Sequence, residues 1–182
     1  MINYSQEEIK RFNDLINNEE PKFEPKTEYE KVILSLVTKI RDVYGRGTVL
    51  SITYQIGSDG GTKAADEILK QRDGKPFDDP VEAMVVLSTL VKHQYSIFIE
   101  SIETDESNGS ITVNVLNQCA FREMTTKYKE IRPGSSVCRI GKGFFESALK
   151  ILLQDKYKVD ISFKENVEEM NKCREIVKFI KK

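Results

Sequence analysis

The chain has 182 residues, 39% of them hydrophobic, which suffices for one well-buried core and does not require a second full domain. Its 28 Lys and Arg residues nearly balance its 29 Asp and Glu residues, so we expect no nucleic-acid partner. No stretch is apolar for long enough to cross a bilayer, and no basic region followed by an apolar one begins at Met1, so we expect a cytoplasmic protein.

Two capping boxes mark the first predicted helices. Ser5-Gln6-Glu7-Glu8 begins a short amphipathic helix. Thr27-Glu28-Tyr29-Glu30 begins a second helix, whose apolar residues recur at helical spacing until Gly45 and Gly47. These apolar residues form a stripe along one side of the helix, and that stripe must face a core or a partner protein. We therefore predict an N-terminal helical extension, 1–26, and one domain, 27–182.

Two further helices follow. The pattern from Thr48 to about Arg72 is helical, but three glycines interrupt it and predict a kink or break: Gly57, Gly60 and Gly61. The next helix begins at Asp79-Pro80-Val81-Glu82, which supplies an N-cap, a proline at the first helical position and an acid in the first turn.

After this helix, the spacing of the hydrophobic residues changes from that of helices to that of strands. Asn108-Gly109 joins two β-branched runs and predicts a tight hairpin. A helical pattern from Val137 to Leu152 precedes a second predicted hairpin. The four runs assigned to strands are Ile97–Glu103, Ile111–Leu116, Tyr157–Phe163 and Ile176–Ile180. The order of helices, hairpin, helix and hairpin predicts an α+β fold with an antiparallel sheet and helices packed on it.

We recognise no catalytic apparatus. The run Gly57 to Lys63 resembles a phosphate-binding loop, but Thr62 precedes Lys63, the reverse of the Walker order, and both flanks are helical. His93 is the only histidine and is better explained as a solvated residue near a helix end. The glycines of Gly141-Lys142-Gly143 lie in a helical pattern, where they predict close packing on a neighbouring element. We therefore expect no enzyme activity.

The three cysteines are Cys119, Cys138 and Cys173. Their odd number and wide spacing argue against a disulfide framework and a C-x-x-C zinc site, so we expect reduced, mostly buried thiols. Cys138 and Cys173 could approach each other if the last helix packs on the last hairpin. Glu165 could then supply an oxygen ligand, which makes a three-ligand zinc site conceivable.

Two stretches resemble the TRAPP core-subunit family, over roughly Thr27 to Ile180. Tyr54-Gln55-Ile56-Gly57, followed by the helical run Ala64–Leu69, is similar to the family's Tyr-x-Ile-Gly turn of helix. Cys138 followed by Gly143 is similar to its Cys-x-x-x-x-Gly helix, which leads into the C-terminal strands. The family's acylated cysteine corresponds to Gln71–Lys75, which contains no cysteine, so a covalent lipid is excluded at that position.

The same fold includes vinyl-reductase-type domains, many of which hold zinc through a helix cysteine, a Glu-x-x-Cys motif and a final cysteine. Cys138 and Cys173 match the first and last of these positions, whereas Ser162 and Glu165 replace the Glu and the middle Cys. The resemblance thus implies a zinc site in which two of the four ligand positions have been replaced. We expect no cofactor, apart from a bound lipid, and retain Cys138, Glu165 and Cys173 only as candidate metal ligands.

The resemblance also implies a dimer built on the N-terminal helices and an apolar pocket that holds an acyl chain or small hydrocarbon. The apolar stripe supplies the candidate dimer-interface residues Val32, Leu36 and Ile40. Six residues on predicted apolar faces are candidates for the pocket, each with core packing as the alternative: Met84, Leu87, Phe98, Cys119, Phe144 and Leu149.

Two hypotheses of function follow. The first is a non-enzymatic homodimeric domain that binds or senses a small hydrophobic ligand, either a lipid or a hydrocarbon. The second is an assembly subunit of a TRAPP-like membrane-trafficking tethering complex, which binds related subunits and is peripheral to membranes. An enzymatic reading lacks support because no redox-cofactor motif is recognisable.

Overall fold

The computed structural model describes Glu7 and residues 25–182. The helix predicted from Ser5 falls outside these residues except for Glu7, which is helical. The chain divides into two compact units, Met1–Ile33 and Leu34–Lys182. The features described below lie in the second unit unless stated otherwise. No helix among the described residues combines the length and apolarity needed to cross a membrane.

The first described element, α1, is a helix, Pro25–Gln71, interrupted at Gly45. Gly45 has a φ of 83°, in the left-handed region that glycine adopts at little cost. The break therefore lies at Gly45, and our prediction of a break at Gly57 to Gly61 is wrong, because segment 46–71 is continuously helical. Thr27 lies inside this helix rather than at its start.

Three more helices follow in the chain. Helix α2 is Pro80–Leu90, and its predicted N-cap is confirmed because the Asp79 carboxylate accepts a hydrogen bond from the Val81 amide at 2.8 Å. Helix α3 is Arg122–Lys127 and was not predicted. Helix α4 is Cys138–Leu152, close to its predicted extent. Single turns of 3₁₀ helix occur at Lys129–Ile131 and Glu168–Met170.

The sheet has four antiparallel strands in the order β1-β2-β4-β3. The strands are β1, Tyr95–Asp105; β2, Ser110–Cys119; β3, Tyr157–Val167; and β4, Lys172–Lys181. Both predicted hairpins are confirmed, and Gly109 provides the positive φ, 61°, that the first turn needs. The α+β class is likewise confirmed.

One face of the sheet packs against the helices. Along β2 and β4 the odd-numbered residues point toward them, because side chains alternate across a strand. Val113, Val115, Val177 and Phe179 are therefore buried in the core, together with residues of α2 and α4. The candidate pocket residues Leu87 and Leu149 are fully buried in this core.

Helices α1 and α4 approach each other at glycines. A methyl group on Gly57 would lie 1.9 Å from the carbonyl oxygen of Ile140, and one on Gly143 would lie 2.1 Å from that of Tyr54. The hydroxyls of Ser58 and Ser147 are hydrogen-bonded across the same contact at 2.6 Å. The packing role predicted for Gly143 is confirmed, and this contact fixes α4 on segment 46–71.

Candidate functional site

A cavity of about 300 Å³ opens beside the first turns of α4. We call it the α4 cavity. Its walls come from the loop before α4, from α4 itself, and from strands β3 and β4. The lining residues are Gly134, Ser135, Cys138, Arg139, Lys142, Ile161, Ser162, Phe163 and Glu175. The cavity thus combines apolar surface with a few polar groups, as small-molecule sites do.

Glu175 is the unusual member of this set. It occupies β4 between Cys173 and Val177, both of which are buried, so its side chain lies on the helix-facing side of the sheet. Its cross-strand neighbours there are Val115 on β2 and Phe163 on β3. A carboxyl group therefore occupies a position that an apolar residue would fill in an ordinary core.

The Glu175 carboxyl has one hydrogen-bond partner among residues 25–182, the side-chain amide of Asn117, which donates to it at 3.1 Å. Burial raises the pKa of Glu175 above its ordinary value, and the hydrogen bond from Asn117 offsets this only in part. Two buried oxygens nearby, Asn117 Oδ1 and Ser135 Oγ, have no protein partner in the described part of the chain. Since buried polar groups are normally hydrogen-bonded, these two oxygens are available to a molecule that binds beside them.

The three cysteines are free and lie close enough to Glu175 for each thiol to interact with its charge. Burial raises the pKa of Cys138 to about 11 and that of Cys119 to about 12. Burial also raises the pKa of Cys173, although the Arg122 guanidinium, which donates to its sulfur at 3.4 Å, opposes this. All three therefore favour the neutral thiol, which is a poor nucleophile.

Lys142 and Glu146 join the cavity wall to two other elements. The Glu146 carboxylate accepts hydrogen bonds from the Tyr54 hydroxyl on α1, at 2.9 Å, and from the Ile161 amide on β3, at 2.8 Å. Lys142 pairs with Glu146 and Asp160, both at 2.8 Å, and donates to the Ile161 carbonyl. Burial alone would lower the pKa of Lys142, but its bonds to Asp160 and Glu146 outweigh this and raise it.

Of the three candidate zinc ligands, Cys138 and Cys173 lie close enough to interact, whereas Glu165 lies apart from them. A register shift between Phe163 and Glu165 places Glu165 opposite Arg174, whose guanidinium donates to its carboxylate. Cys173, the residue before Arg174, points to the other face of the strand. No group of three or more His, Cys, Asp and Glu side chains suited to a metal ion is present in the described ranges. Glu165 therefore does not complete a three-ligand site with Cys138 and Cys173.

Two of the six predicted pocket residues line a different cleft, between α2 and β1. This cleft has a volume of about 490 Å³ and includes Met84 and Phe98, the latter 60% exposed. Phe144 stacks on Tyr95 with ring centroids 5.8 Å apart, and Cys119 is partly buried. With Leu87 and Leu149 in the core, the six do not line one cavity.

The predicted dimer stripe is partly exposed. In the first unit Val32 is 56% exposed, and in the second Leu36 is 58% exposed, whereas Ile40 is partly buried. Further along α1, other large apolar side chains are also exposed: Val43, Tyr44, Ile52 and Ile56. An apolar surface of this kind is typical of a protein-binding face.

Sequence reasoning missed Glu175, Asn117 and Ser135. The alternation Cys173, Glu175, Val177, Phe179 in β4 assigns the carboxyl to the apolar face, so that signal was present. Asn117 follows Val113 and Val115 on β2 in the same way. Ser135 lies in the loop before α4, and no sequence pattern marks it.

Comparison with solved structures identifies the fold. The phenol-responsive sensory domain of the transcription activator PoxR, crystallised with phenol, is 13% identical and has a TM-score of 0.57, covering 82% of this chain and 74% of that chain. The two chains share a fold. A trafficking protein particle complex subunit 3 from Naegleria fowleri, covalently bound to palmitic acid, is 15% identical with a TM-score of 0.48, covering 86% of this chain and 97% of that one.

Comparison by sequence gives no assignment. No protein-family model matches the chain, and a search of curated proteins finds no significant match. The chain nevertheless shares the α+β fold of the PoxR sensory domain, which superposes on most of it. At this level of identity the likeness extends to the fold alone.

Proposed function

We propose that this protein is a non-enzymatic, homodimeric sensor domain that binds one small, largely apolar molecule in the α4 cavity. The observation that carries the proposal is a set of polar groups at that cavity: Glu175 and Ser135 line it, and Asn117 is hydrogen-bonded to Glu175. Glu175, Asn117 and Ser135 bring together a carboxyl and two unpartnered oxygens beside the apolar wall formed by Ile161 and Phe163. Such a site orients a small ligand through few hydrogen bonds.

The cavity volume supports a small ligand. An apolar cavity of about 150 Å³ accommodates benzene. The α4 cavity, at about 300 Å³, therefore suits a molecule of one or two rings or a short chain. The solved PoxR sensory domain contains phenol, a molecule of this size. The neutral state of the Cys138 thiol also supports binding rather than covalent chemistry.

Ligand binding is tested by native mass spectrometry of the purified protein with phenol and with palmitate as probes. We expect phenol to bind at one site per chain. Its location is tested by alkylating the thiols in the presence and absence of phenol and mapping the modified peptides. Cys138 lines the cavity and should be protected, whereas Cys119, which does not line it, serves as the control in the same sample. Unchanged alkylation of Cys138 at saturating phenol would contradict the site.

The dimer is tested through the exposed apolar surface of α1. Leu36→Lys places a charge on this surface, where the leucine is 58% exposed. Leu90→Lys places one on another exposed leucine, on α2, which is 45% exposed. We expect Leu36→Lys to shift the protein to monomer and Leu90→Lys to leave a dimer, as measured by native mass. A wild-type monomer, or loss of the dimer in both variants, would contradict the assignment.

A second function rests on the same surface. The exposed apolar side chains on α1, among them Leu36, Ile52 and Ile56, also fit an assembly subunit that binds related chains in a trafficking complex. The two functions predict different partners: a small molecule in the first, and another protein chain in the second. A protein that is monomeric alone, binds no small probe and forms a stable complex with another chain through Leu36 would favour the assembly role.

A further inference from the structure

We propose that Glu175 is a specificity-determining residue of the α4 cavity and selects an uncharged ligand that carries a hydroxyl group. The ligand body, aromatic or aliphatic, would contact Phe163 and Ile161. This inference rests on the proposed function, since it names the chemical class of the ligand at that same site. It assigns a role to a residue that no sequence motif marks.

The hydrogen-bonding groups that Glu175 and Ser135 contribute to the cavity match a hydroxyl. Asn117 occupies one oxygen of the Glu175 carboxyl, and in residues 25–182 no second hydrogen bond reaches that carboxyl. Ser135 Oγ is also buried without a partner there. A hydroxyl both donates and accepts, so it can bond to a carboxyl in either protonation state and to a serine at the same time. A purely apolar molecule would leave these groups unsatisfied, which costs free energy.

An anionic ligand fits less well. A second carboxylate beside Glu175 would meet like charge, and Lys142, the lysine that lines the cavity, is already paired with Glu146 and Asp160. Arg139 also lines the cavity and is the group that would recruit an anion. An anionic ligand is therefore the main alternative to the uncharged hydroxyl compound, and the experiment must test it.

A cationic ligand is disfavoured for a different reason. No Lys, Arg or His among the described residues forms an ion pair with Glu175, and burial favours its neutral form. A bound amine would require two charges to be desolvated together, and Arg139 and Lys142 would repel it. Of the three classes, the uncharged hydroxyl compound thus has the smallest desolvation cost.

The experiment compares four probes of nearly equal size: benzyl alcohol, ethylbenzene, benzoate and benzylamine. Affinities are measured by calorimetry on the full chain, and the site is checked by protection of Cys138 from alkylation. We expect wild type to bind benzyl alcohol about 5- to 150-fold more tightly than ethylbenzene, since an unpaired buried polar group costs about 1–3 kcal/mol. Benzoate and benzylamine should bind more weakly still.

Two variants assign the preference to the carboxyl. Glu175→Leu should reverse the order of benzyl alcohol and ethylbenzene, and Glu175→Gln should keep the preference for the alcohol because an amide also donates and accepts. Glu169→Gln removes an exposed carboxyl as the control and should leave all four affinities unchanged. Glu175→Gln keeps the test decisive if the leucine variant does not fold.

The outcomes separate this inference from the function on which it rests. Tightest binding of benzoate or benzylamine, or equal binding of alcohol and ethylbenzene with Cys138 protected, overturns the role of Glu175 and leaves a ligand-binding cavity. If none of the four probes binds and Cys138 is alkylated at the same rate throughout, the proposed function is overturned and the role of Glu175 with it.

Discussion

The contact between α1 and α4 predicts that alanine at Gly57 destabilises the protein although alanine is the better helix former. The added methyl group would lie 1.9 Å from the Ile140 carbonyl oxygen and 2.9 Å from the Phe144 amide nitrogen. Both are backbone atoms, so no side chain can rotate to make room. The α4 backbone must move by about 1 Å to restore a tolerable contact.

The expected magnitude follows from two opposing effects. Overpacking a tight contact costs about 1–3 kcal/mol, and a backbone neighbour places Gly57→Ala at the upper end. Replacing a helical glycine by alanine returns about 1 kcal/mol. We therefore expect Gly57→Ala to lower the free energy of unfolding by about 2 kcal/mol, which for a chain of this size lowers Tm by about 4–8 °C.

Gly47→Ala is the matched control, since it makes the same change in the same helix. Among the described residues, apart from the adjoining backbone of the same helix, no atom lies within 4 Å of a methyl group placed on Gly47, so only the gain of about 1 kcal/mol should remain. The assay is urea unfolding followed by far-ultraviolet circular dichroism, supported by thermal melts. If Gly57→Ala proves as stable as Gly47→Ala, the close approach of α1 and α4 is wrong.

Three further predictions concern charged and ionisable groups. Burial raises the folded-state pKa of Glu175, so its contribution to stability is present below the ordinary value of 4.5 and is lost as pH rises through the raised value. Glu175→Gln should therefore gain stability over wild type as pH rises from below 4.5 in urea titrations, and a pH-independent difference would contradict this. Burial of Tyr54, together with its hydrogen bond to Glu146, raises the pKa of Tyr54 to about 12. Ultraviolet difference titration of wild type against Tyr54→Phe should therefore show one tyrosine that ionises near pH 12. Glu146→Gln should lower that pKa. The Arg174 guanidinium donates to both oxygens of the Glu100 carboxylate, at 2.7 and 3.0 Å, and also to Glu165. Because this network is partly exposed, Arg174→Lys should lower the free energy of unfolding by about 1 kcal/mol or less, and the loss should shrink in high salt. An unchanged cost in high salt would indicate that packing, rather than charge, stabilises this site.

Much of the fold was predictable because its signals are local. Asn108-Gly109 and the alternation in β3 and β4 specify both hairpins within short stretches of chain. The glycines of α1 were harder to interpret. A glycine that bends a helix, such as Gly45, and one that admits a neighbouring backbone, such as Gly57, look the same in sequence. The difference depends on where α4 packs, which is a long-range property.

The site was less predictable than the fold. Local patterns place Cys138 on the last helix, but the register shift before Glu165 turns that carboxylate to the opposite face of the sheet, and strict alternation does not anticipate this shift. The α4 cavity itself depends on how closely α4, the loop before it and β3 approach one another. No spacing of residue types encodes that distance.

The pairing of Lys142 and Glu146 with Ile161 bears on how the protein can assemble. Strand β3 is at one edge of the sheet, where an unpaired backbone would accept a strand from another chain. At Ile161 both the amide and the carbonyl are already bonded to α4, so strand addition there is blocked. The opposite edge, β1, borders the open cleft beside α2. A partner strand that paired with β3 across Ile161 would first have to displace both of these bonds.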